Sequence, residues 1–474
     1  MKKIRTGVSV KVSMLAFAVF VGYCVRAELS VGYAKYDITP PLGMCLSGYG
    51  TYRPADGILD RLEAVGIAFS DGTNKAVVIS SDIISLRSVS KVYRDKIAAA
   101  TGLDPQAIFL CCTHTHTGPS LLRLGYGAEV ENLDKCATYD KALCDYLASV
   151  AQLALNDLAP AKLSIARGEV KRVSFIRRFL MKDGTYSTNP RVGNPNIVRP
   201  ESEVDEQLQL VRIDREGKDS IAIVNFQCHP DTIGGKKISG DWPSVVRRTV
   251  ERVLPNVKCI FINGAQGDSN HICRDPKRAL LPPRDIRTHQ YMGRAVAGTA
   301  IGLWDVCKPI EGGKIGFGIT MAHVKSIKPT PEEEAEARKI AALRKAGKKS
   351  EIKPLKGLSQ WQTISEANHR ILKANGPDSF EVPLSAVTIG DTLAFVGFPG
   401  EPFTEYGLIM KKYSPFTMTV PACLTNGSFG YMPTDFAMDK AGYETTTTVF
   451  SKGLEKAMVD GHLNQLQRLV KAAK

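Results

Sequence analysis

Short β-branched runs recur along this chain, and several of them stop at a polar loop. Residues 64–69 and 76–84 are apolar and strand-like, with Asp71-Gly72 as the hairpin turn between them. Residues 89–101 then read as a helix that ends near Gly102, and Ile108–Cys112 reads as a short buried strand running into Thr113-His-Thr-His. Strand, helix, strand and a polar exit is the order of an α/β architecture. The pattern returns downstream. Helices are expected at 139–156, 242–253 and 291–306, and strands at 29–36, 162–169, 208–214, 221–228, 257–263, 382–389 and 392–398. The stretch 329–376 differs. Thr330-Pro-Glu-Glu333 is a capping box with proline at the first helical position, and it opens a helix rich in Ala, Glu, Lys and Arg that stops near Gly347. A second helix is expected around 361–374, so 329–376 reads as a helical hairpin inserted into the main body.

Of the 474 residues, 43% are hydrophobic and 23% charged, which excludes a disordered, collagenous or multi-span membrane chain. Residues 1–27 read as a secretory signal peptide: Lys2, Lys3 and Arg5 precede an apolar run over 12–25, and Val25 and Ala27 suit a cleavage site. Cys24 as a lipoprotein anchor is the alternative, disfavoured by Tyr23. The expected division is a signal peptide at 1–27 and one domain at 28–474, exported to the periplasm, cell surface or medium. Lys2, Lys3, Arg5, Lys11 and Arg26 supply five charges of the net +14, leaving +9 spread along the mature chain. That charge allows weak contact with an anionic membrane, but no nucleic-acid module accompanies it. The ten remaining cysteines are too scattered for a disulfide scaffold, although Cys136 and Cys144 could bridge a local loop.

The chemistry-bearing residues sit at strand exits. His114 and His116, at i and i+2 beyond a strand, project to one side of an extended backbone and can serve one metal, or one metal and one substrate; two surface histidines are the plainer reading. His229 ends another strand, in Gln227-Cys-His-Pro230, and reads equally as a ligand or a loop histidine. Asp241 could orient a ligand or cap the helix that follows. Asn263-Gly-Ala-Gln-Gly-Asp-Ser-Asn270 follows a third strand, where Asp268, Ser269 and Asn270 offer hydrogen bonds or simply form a turn. Glu401 stands on a stiff Pro399-Gly-Glu-Pro402 exit, and Tyr431 and Tyr443 lie in a glycine-rich region; each alone reads as ordinary loop structure. Together they make the N and O donor set of a zinc site with an open position. There is no Gly-x-Ser-x-Gly elbow, Walker A loop or His-Glu-x-x-His.

In this order, over about residues 29–470, the motifs resemble the neutral/alkaline, non-lysosomal ceramidase family: Asp37-Ile-Thr with Gly48-Tyr-Gly50, Thr113-His-Thr-His-Thr-Gly-Pro119, His229-Pro230, Gly267-Asp268, Pro399-Gly-Glu401 and the Tyr431/Tyr443 pair. The resemblance implies a layered, mixed-sheet α/β catalytic domain with helices packed outside and a zinc amidase site that cleaves ceramide to a sphingoid base and a fatty acid. It implies His114, His229, Glu401 and Tyr431 as zinc ligands, His116 and Tyr443 at the scissile amide, and Arg177 of Phe175-Ile-Arg-Arg178 as the active-site arginine. By general zinc chemistry, activated water would attack the acyl carbonyl, Tyr443, His116 and Arg177 would steady the oxyanion, and His116 would protonate the amine. Asp268 or Asp241 would hold a histidine tautomer. Two departures stand out. Where ceramide-cleaving members carry a serine in a Gly-Asp-x-Ser-Pro-Asn loop, Asn270 aligns, with Ser269 one place early. The chain also ends about 30 residues after Tyr443, so the family's C-terminal β-sandwich is expected to be missing. The alternatives are a zinc hydrolase of another amide or ester, a non-catalytic binding protein on the same scaffold, and a phosphoesterase, which lacks its usual aspartates here.

Overall fold

The computed structural model describes residues 29–49, 52–86, 90–121, 133–282, 286–355, 358–440 and 442–473. The segment 1–27, Gly50 and Val89 lie outside them. Among the described residues, nine strands form a large sheet in the order Val257–Asn263, Ser220–Phe226, Gln207–Arg215, Ala159–Glu169, Ser30–Asp37, Glu63–Ser70, Lys75–Ser81 and Ile108–Cys112, with Lys308–Ile310 joining Ala159–Glu169 off that path. The pairings are antiparallel except at the two ends, where Ser220–Phe226 runs parallel to Val257–Asn263 and Lys75–Ser81 parallel to Ile108–Cys112. Parallel neighbours need a crossover. The helices Asp241–Val253 and Lys91–Thr101 supply them.

A second sheet runs Ile315–Lys325, Ser379–Ile389, Leu393–Gly397 and Met418–Ala422, and its last pair is again parallel, bridged by the helix Thr404–Tyr413. The period-2 alternation of the strands explains how the layers stack. In Glu63–Ser70, Val65, Ile67 and Phe69 face a core shared with Val387, Leu393, Phe395 and Val420 of the small sheet. Ala64 and Ala68 face a core under Lys91–Thr101 and Leu133–Asn156. Trp242, Val246 and Met292 cover the other end of the same outer face, and Tyr406, Met410 and Leu466 cover the small sheet. The result is helices, large sheet, small sheet, helices.

The large sheet bends enough for its ends to meet. Ser80 Oγ donates to the Phe261 carbonyl at 2.7 Å, and Asn263 Nδ2 donates to the Thr113 carbonyl at 3.0 Å. The exits of both parallel pairs therefore face one another.

Ile108–Cys112 and the helix stop at Gly102, which has φ 72°, are as expected. The hairpin turn is also present, with Asp71 Oδ1 accepting from the Thr73 and Asn74 amides at 2.8 and 2.6 Å. The helix expected at 139–156 begins earlier, at Leu133, and the one at 291–306 spans Arg287–Leu303 with a 3-10 turn after it. The inserted hairpin is Pro331–Lys345 and Gln360–Asn375, each opened by a full capping box, at Thr330/Glu333 and Ser359/Gln362. Ala337, Ile340, Ile352 and Ala367 form its own small core. It also reaches the body, where Lys373 Nζ donates to the Thr446 carbonyl at 2.6 Å. No disulfide joins Cys136 to Cys144, so the local bridge is not formed.

Candidate metal centre and amide site

Four chain segments converge where the sheet ends meet. After Ile108–Cys112 the backbone turns sharply, His114 taking a φ of 73°. Its Nδ1 donates to the Ile84 carbonyl at 2.8 Å. His229 follows Ser220–Phe226, and its Nδ1 faces the carbonyls of Gln266 at 2.9 Å and Ser269 at 3.0 Å. A ring nitrogen held on a carbonyl carries the proton, so Nε2 of both histidines presents a lone pair. Glu401 follows Leu393–Gly397 and receives both: Oε2 lies 3.3 Å from His114 Nε2 and 3.1 Å from His229 Nε2. His116 Nε2 lies 3.4 Å from His114 Nε2.

These separations suit a metal. Donors 2.0–2.2 Å from one tetrahedral ion sit roughly 3.3–3.6 Å apart. The N and O donor types suit zinc, and the candidate ligand atoms of His114, His116 and His229 lie within 4.8 Å of one another. Burial depresses the His116 imidazole well below its ordinary range, with His114 adding to it, and burial beside Arg177 depresses His229. Burial alone would raise Glu401, but His114 and His229 hold it well below the usual carboxylate range. Neutral imidazoles around an ionised carboxylate are the state a cation requires.

The histidines differ in one respect. His116 Nδ1 is buried with no hydrogen-bond partner among the described residues, so no carbonyl fixes its tautomer. Its position is fixed instead through its backbone, its amide donating to the Pro230 carbonyl at 3.1 Å. Gly48, at φ 109°, passes so close that a Cβ there would lie 2.5 Å from His116 Cβ.

Tyr431 is brought in by backbone pairing, since it is the register partner of Glu401 in a two-residue parallel ladder. Its ring stacks on His229 at 6.5 Å and meets Tyr443 edge-on at 5.6 Å. Burial, and then Glu401, push the Tyr431 hydroxyl well up. Arg177 lies over that ring at 5.2 Å, with Nη1 3.2 Å from His229 Nε2 and Nη2 donating to the Gly267 carbonyl at 2.8 Å. Gly267 is a close approach: a Cβ there would lie 2.3 Å from the Glu401 carbonyl oxygen.

Behind Arg177 is a buried ion network that the sequence did not announce. Arg177 Nε donates to Glu444 Oε1 at 2.7 Å, Arg178 Nη1 to Glu444 Oε2 at 3.0 Å, and Arg178 grips Glu201 at 2.6 and 3.0 Å. Thr188 Oγ1 donates to Glu444 Oε2 at 2.6 Å and accepts from the Tyr443 amide at 3.2 Å. Burial would raise Glu444, but Arg177 and Arg178 keep it below its ordinary value. The only advance signal was adjacency: Glu444 follows Tyr443, and Arg178 follows Arg177.

The third strand exit acts through its backbone. The Asp268 carboxylate accepts from the Thr404 amide and hydroxyl at 2.8 and 2.7 Å and from Ser202, capping the helix Thr404–Tyr413. Asp241, at φ 54°, accepts from the amides of Thr232, Ile233 and Trp242. Neither carboxylate holds a histidine tautomer, contrary to expectation; peptide carbonyls do, because they already line the loops that the imidazoles enter. The Ser269 hydroxyl is buried on Gln266 at 3.4 Å, and its carbonyl serves His229. Asn270 turns to Asn189, donating to Oδ1 at 3.0 Å. An Asp231–His271 pair at 2.9 Å, one turn beyond His229-Pro230, was also not foreseen.

The family model described as neutral/alkaline non-lysosomal ceramidase, N-terminal, matches residues 29–264. Neutral ceramidase of Mycobacterium tuberculosis is 24% identical over 488 residues, spanning 90% of this chain and 74% of that protein. Among solved structures, neutral ceramidase from Pseudomonas aeruginosa superposes with a TM-score of 0.68 at 18% identity, covering 94% of this chain and 75% of that one. A ceramidase complexed with C2 gives 0.67 at 16%, covering 94% and 76%. These two likenesses establish a shared fold.

Proposed function

The chain belongs to the neutral/alkaline ceramidase N-terminal domain family, and from that premise we propose that it is a zinc-dependent amidohydrolase that cleaves the N-acyl bond of ceramide or a related N-acyl lipid. The observation that carries the reading is the meeting of His114 and His229 on Glu401 Oε2, each with Nδ1 committed to carbonyls. His114, His229, Glu401 and Tyr431 would hold the ion. When bound, zinc supplies an activated water and a polarised acyl carbonyl. The rest belongs to the chain. Arg177 and Tyr443 face the same space and steady the developing oxyanion, an effect worth about 3 kcal/mol per donor in comparable sites. His116, whose tautomer nothing pins, takes the proton from water and delivers it to the departing amine. Tyr49, packed edge-on at 5.1 Å, keeps that ring in place.

We further propose that the enzyme acts after export, residues 1–27 having been removed, and meets its substrate at a membrane surface. No helix among the described residues is long and apolar enough to cross a membrane. The test is release of fatty acid from a short-chain fluorescent ceramide, with and without a zinc chelator, and with His114→Ala. Chelator-sensitive release that disappears in the variant is expected. Bound zinc with no release would remove ceramide and leave other amides and esters. Sequencing the mature N-terminus checks the export step.

A further inference from the structure

Arg274 is a buried arginine with no carboxylate at ion-pair distance among the described residues. It is 8% exposed, and its Nε is buried with no hydrogen-bond partner among the described residues. Among the described residues its guanidinium donates only from Nη2, to Asn189 Oδ1. Arg177 and Arg178, by contrast, engage Glu444 and Glu201. Burial lowers Arg274 to about 10, with the Asp231 carboxylate opposing and Arg177 adding to it, so it stays charged at neutral pH. A buried cation left this way is costly unless something arrives to pair it.

Its location says what arrives. Ser269 holds His229 through its carbonyl, Asn270 follows it and binds Asn189, and Asn189 binds Arg274. The Asn189 amide also donates to the Arg177 carbonyl at 2.7 Å. The guanidinium is therefore linked to His229 by three hydrogen bonds and one peptide link, behind an exposed Asn189.

We propose that Arg274 binds a carboxylate on the amine half of the substrate, making the preferred class N-acyl amino acids rather than neutral ceramides. This rests on the amidohydrolase reading above. Hydrolysis releases a fatty acid and an amino acid, water supplying the hydroxyl to the acyl carbon and the proton to the amine, with no co-reactant. A planar guanidinium matches a carboxylate with two parallel N–H donors. The Asn189 amide, at an exposed rim, admits the group from solvent.

The experiment compares kcat/KM for N-dodecanoylserine, its methyl ester and a short-chain ceramide, with the wild type, Arg274→Gln, Arg274→Lys and Asn189→Ala. A hydrogen bond to a charged group of the ordinary strength corresponds to about tenfold or more in kcat/KM. The wild type should favour the acid over its ester by at least that factor. Arg274→Gln should lose about tenfold more on the acid than on the ester, with KM carrying the change, and Arg274→Lys should recover part of it. Equal rates on acid and ester, or equal losses on both, would overturn the proposal. If Arg274→Gln is misfolded by circular dichroism or zinc content, Asn189→Ala carries the same comparison. If the wild type cleaves no amide, the amidohydrolase reading falls instead, and titration calorimetry with N-dodecanoylserine decides the anion site. Binding abolished by Arg274→Gln would uphold it, and absent or unchanged binding would reject it.

Discussion

Two clusters of buried ionisable groups lie side by side in this molecule and are built on opposite principles. In the first, His114, His116, His229 and Glu401 bring three imidazoles and one carboxylate to spacings of 3.1–3.4 Å. In the second, Arg177, Arg178, Glu201 and Glu444 match two guanidiniums to two carboxylates, donor facing acceptor, with Thr188 adding a second donor to Glu444 Oε2. The second cluster is complete as it stands. The first has the donor types and spacing that could hold a cation. Burial alone therefore does not mark a binding site; mismatched donors and acceptors within the burial do. Arg247 supports the rule from a distance: it is buried against Asp82 and Glu63, fully matched, and has no neighbour that asks for a guest.

The sharpest way to break this contrast is a pair of substitutions. His229→Ala should abolish metal retention and cut amide hydrolysis by more than about 10³-fold, because water loses the ion that makes it acidic at neutral pH. Glu444→Gln should instead cost about 3–5 kcal/mol of stability, measured by denaturant unfolding of the metal-free protein, because it leaves the buried Arg177 guanidinium without a carboxylate and Arg178 with Glu201 alone. If His229→Ala destabilised the metal-free chain as much as Glu444→Gln does, the contrast would be wrong.

A smaller effect concerns His462, a third case: a buried imidazole against Phe398 with both ring nitrogens unpartnered among the described residues, pushed by burial down to about 3. The folded value lies below the unfolded one of about 6.5. The unfolded chain therefore takes up this proton first, so the stability contributed by His462 is whole above about pH 6.5 and is lost as pH falls toward 3. His462→Leu should flatten the acid limb of stability against pH over that window; an unaltered limb would argue that His462 is already paired. Smallest is Lys373→Met, which removes the hydrogen bond to Thr446 at the end of the short helix Tyr443–Thr447. A few-fold fall in kcat with unchanged zinc content is expected, since only the oxyanion-side phenol is loosened. A loss of zinc would place the insertion at the wrong cluster.

The same contrast explains what could be read in advance. Ile108–Cys112 was legible to the residue because a turn precedes it and a polar loop follows. His114, His229 and Glu401 were legible because polar residues at the ends of apolar strands are conspicuous, whereas Tyr431 and Tyr443 became candidates for specific roles only through the family resemblance. Arg178, Glu201 and Glu444 were not legible. Charged residues in loops look solvated until one knows what covers them, and the strand pairing Ser269 to Ile176 that brings this loop to the site is two residues long. The strand Ile315–Lys325 escaped for a related reason: its glycines and half-exposed positions blur the alternation. Arg274 showed nothing in sequence, because what distinguishes it is the lack, among the described residues, of a carboxylate paired with it.

The closure of the large sheet has a consequence for how the chain matures. Ser80 and Phe261 are 181 positions apart, and Thr113 and Asn263 are 150 apart. Contacts so distant along the chain form slowly, after local helices and hairpins, because a long loop must be closed before it is rewarded. The imidazoles of residues 114 and 229 are brought together by that same closure. During folding, then, the chain should pass through a stage with much of its local structure in place and no affinity for metal, and acquisition of the ion would report the final step of assembly.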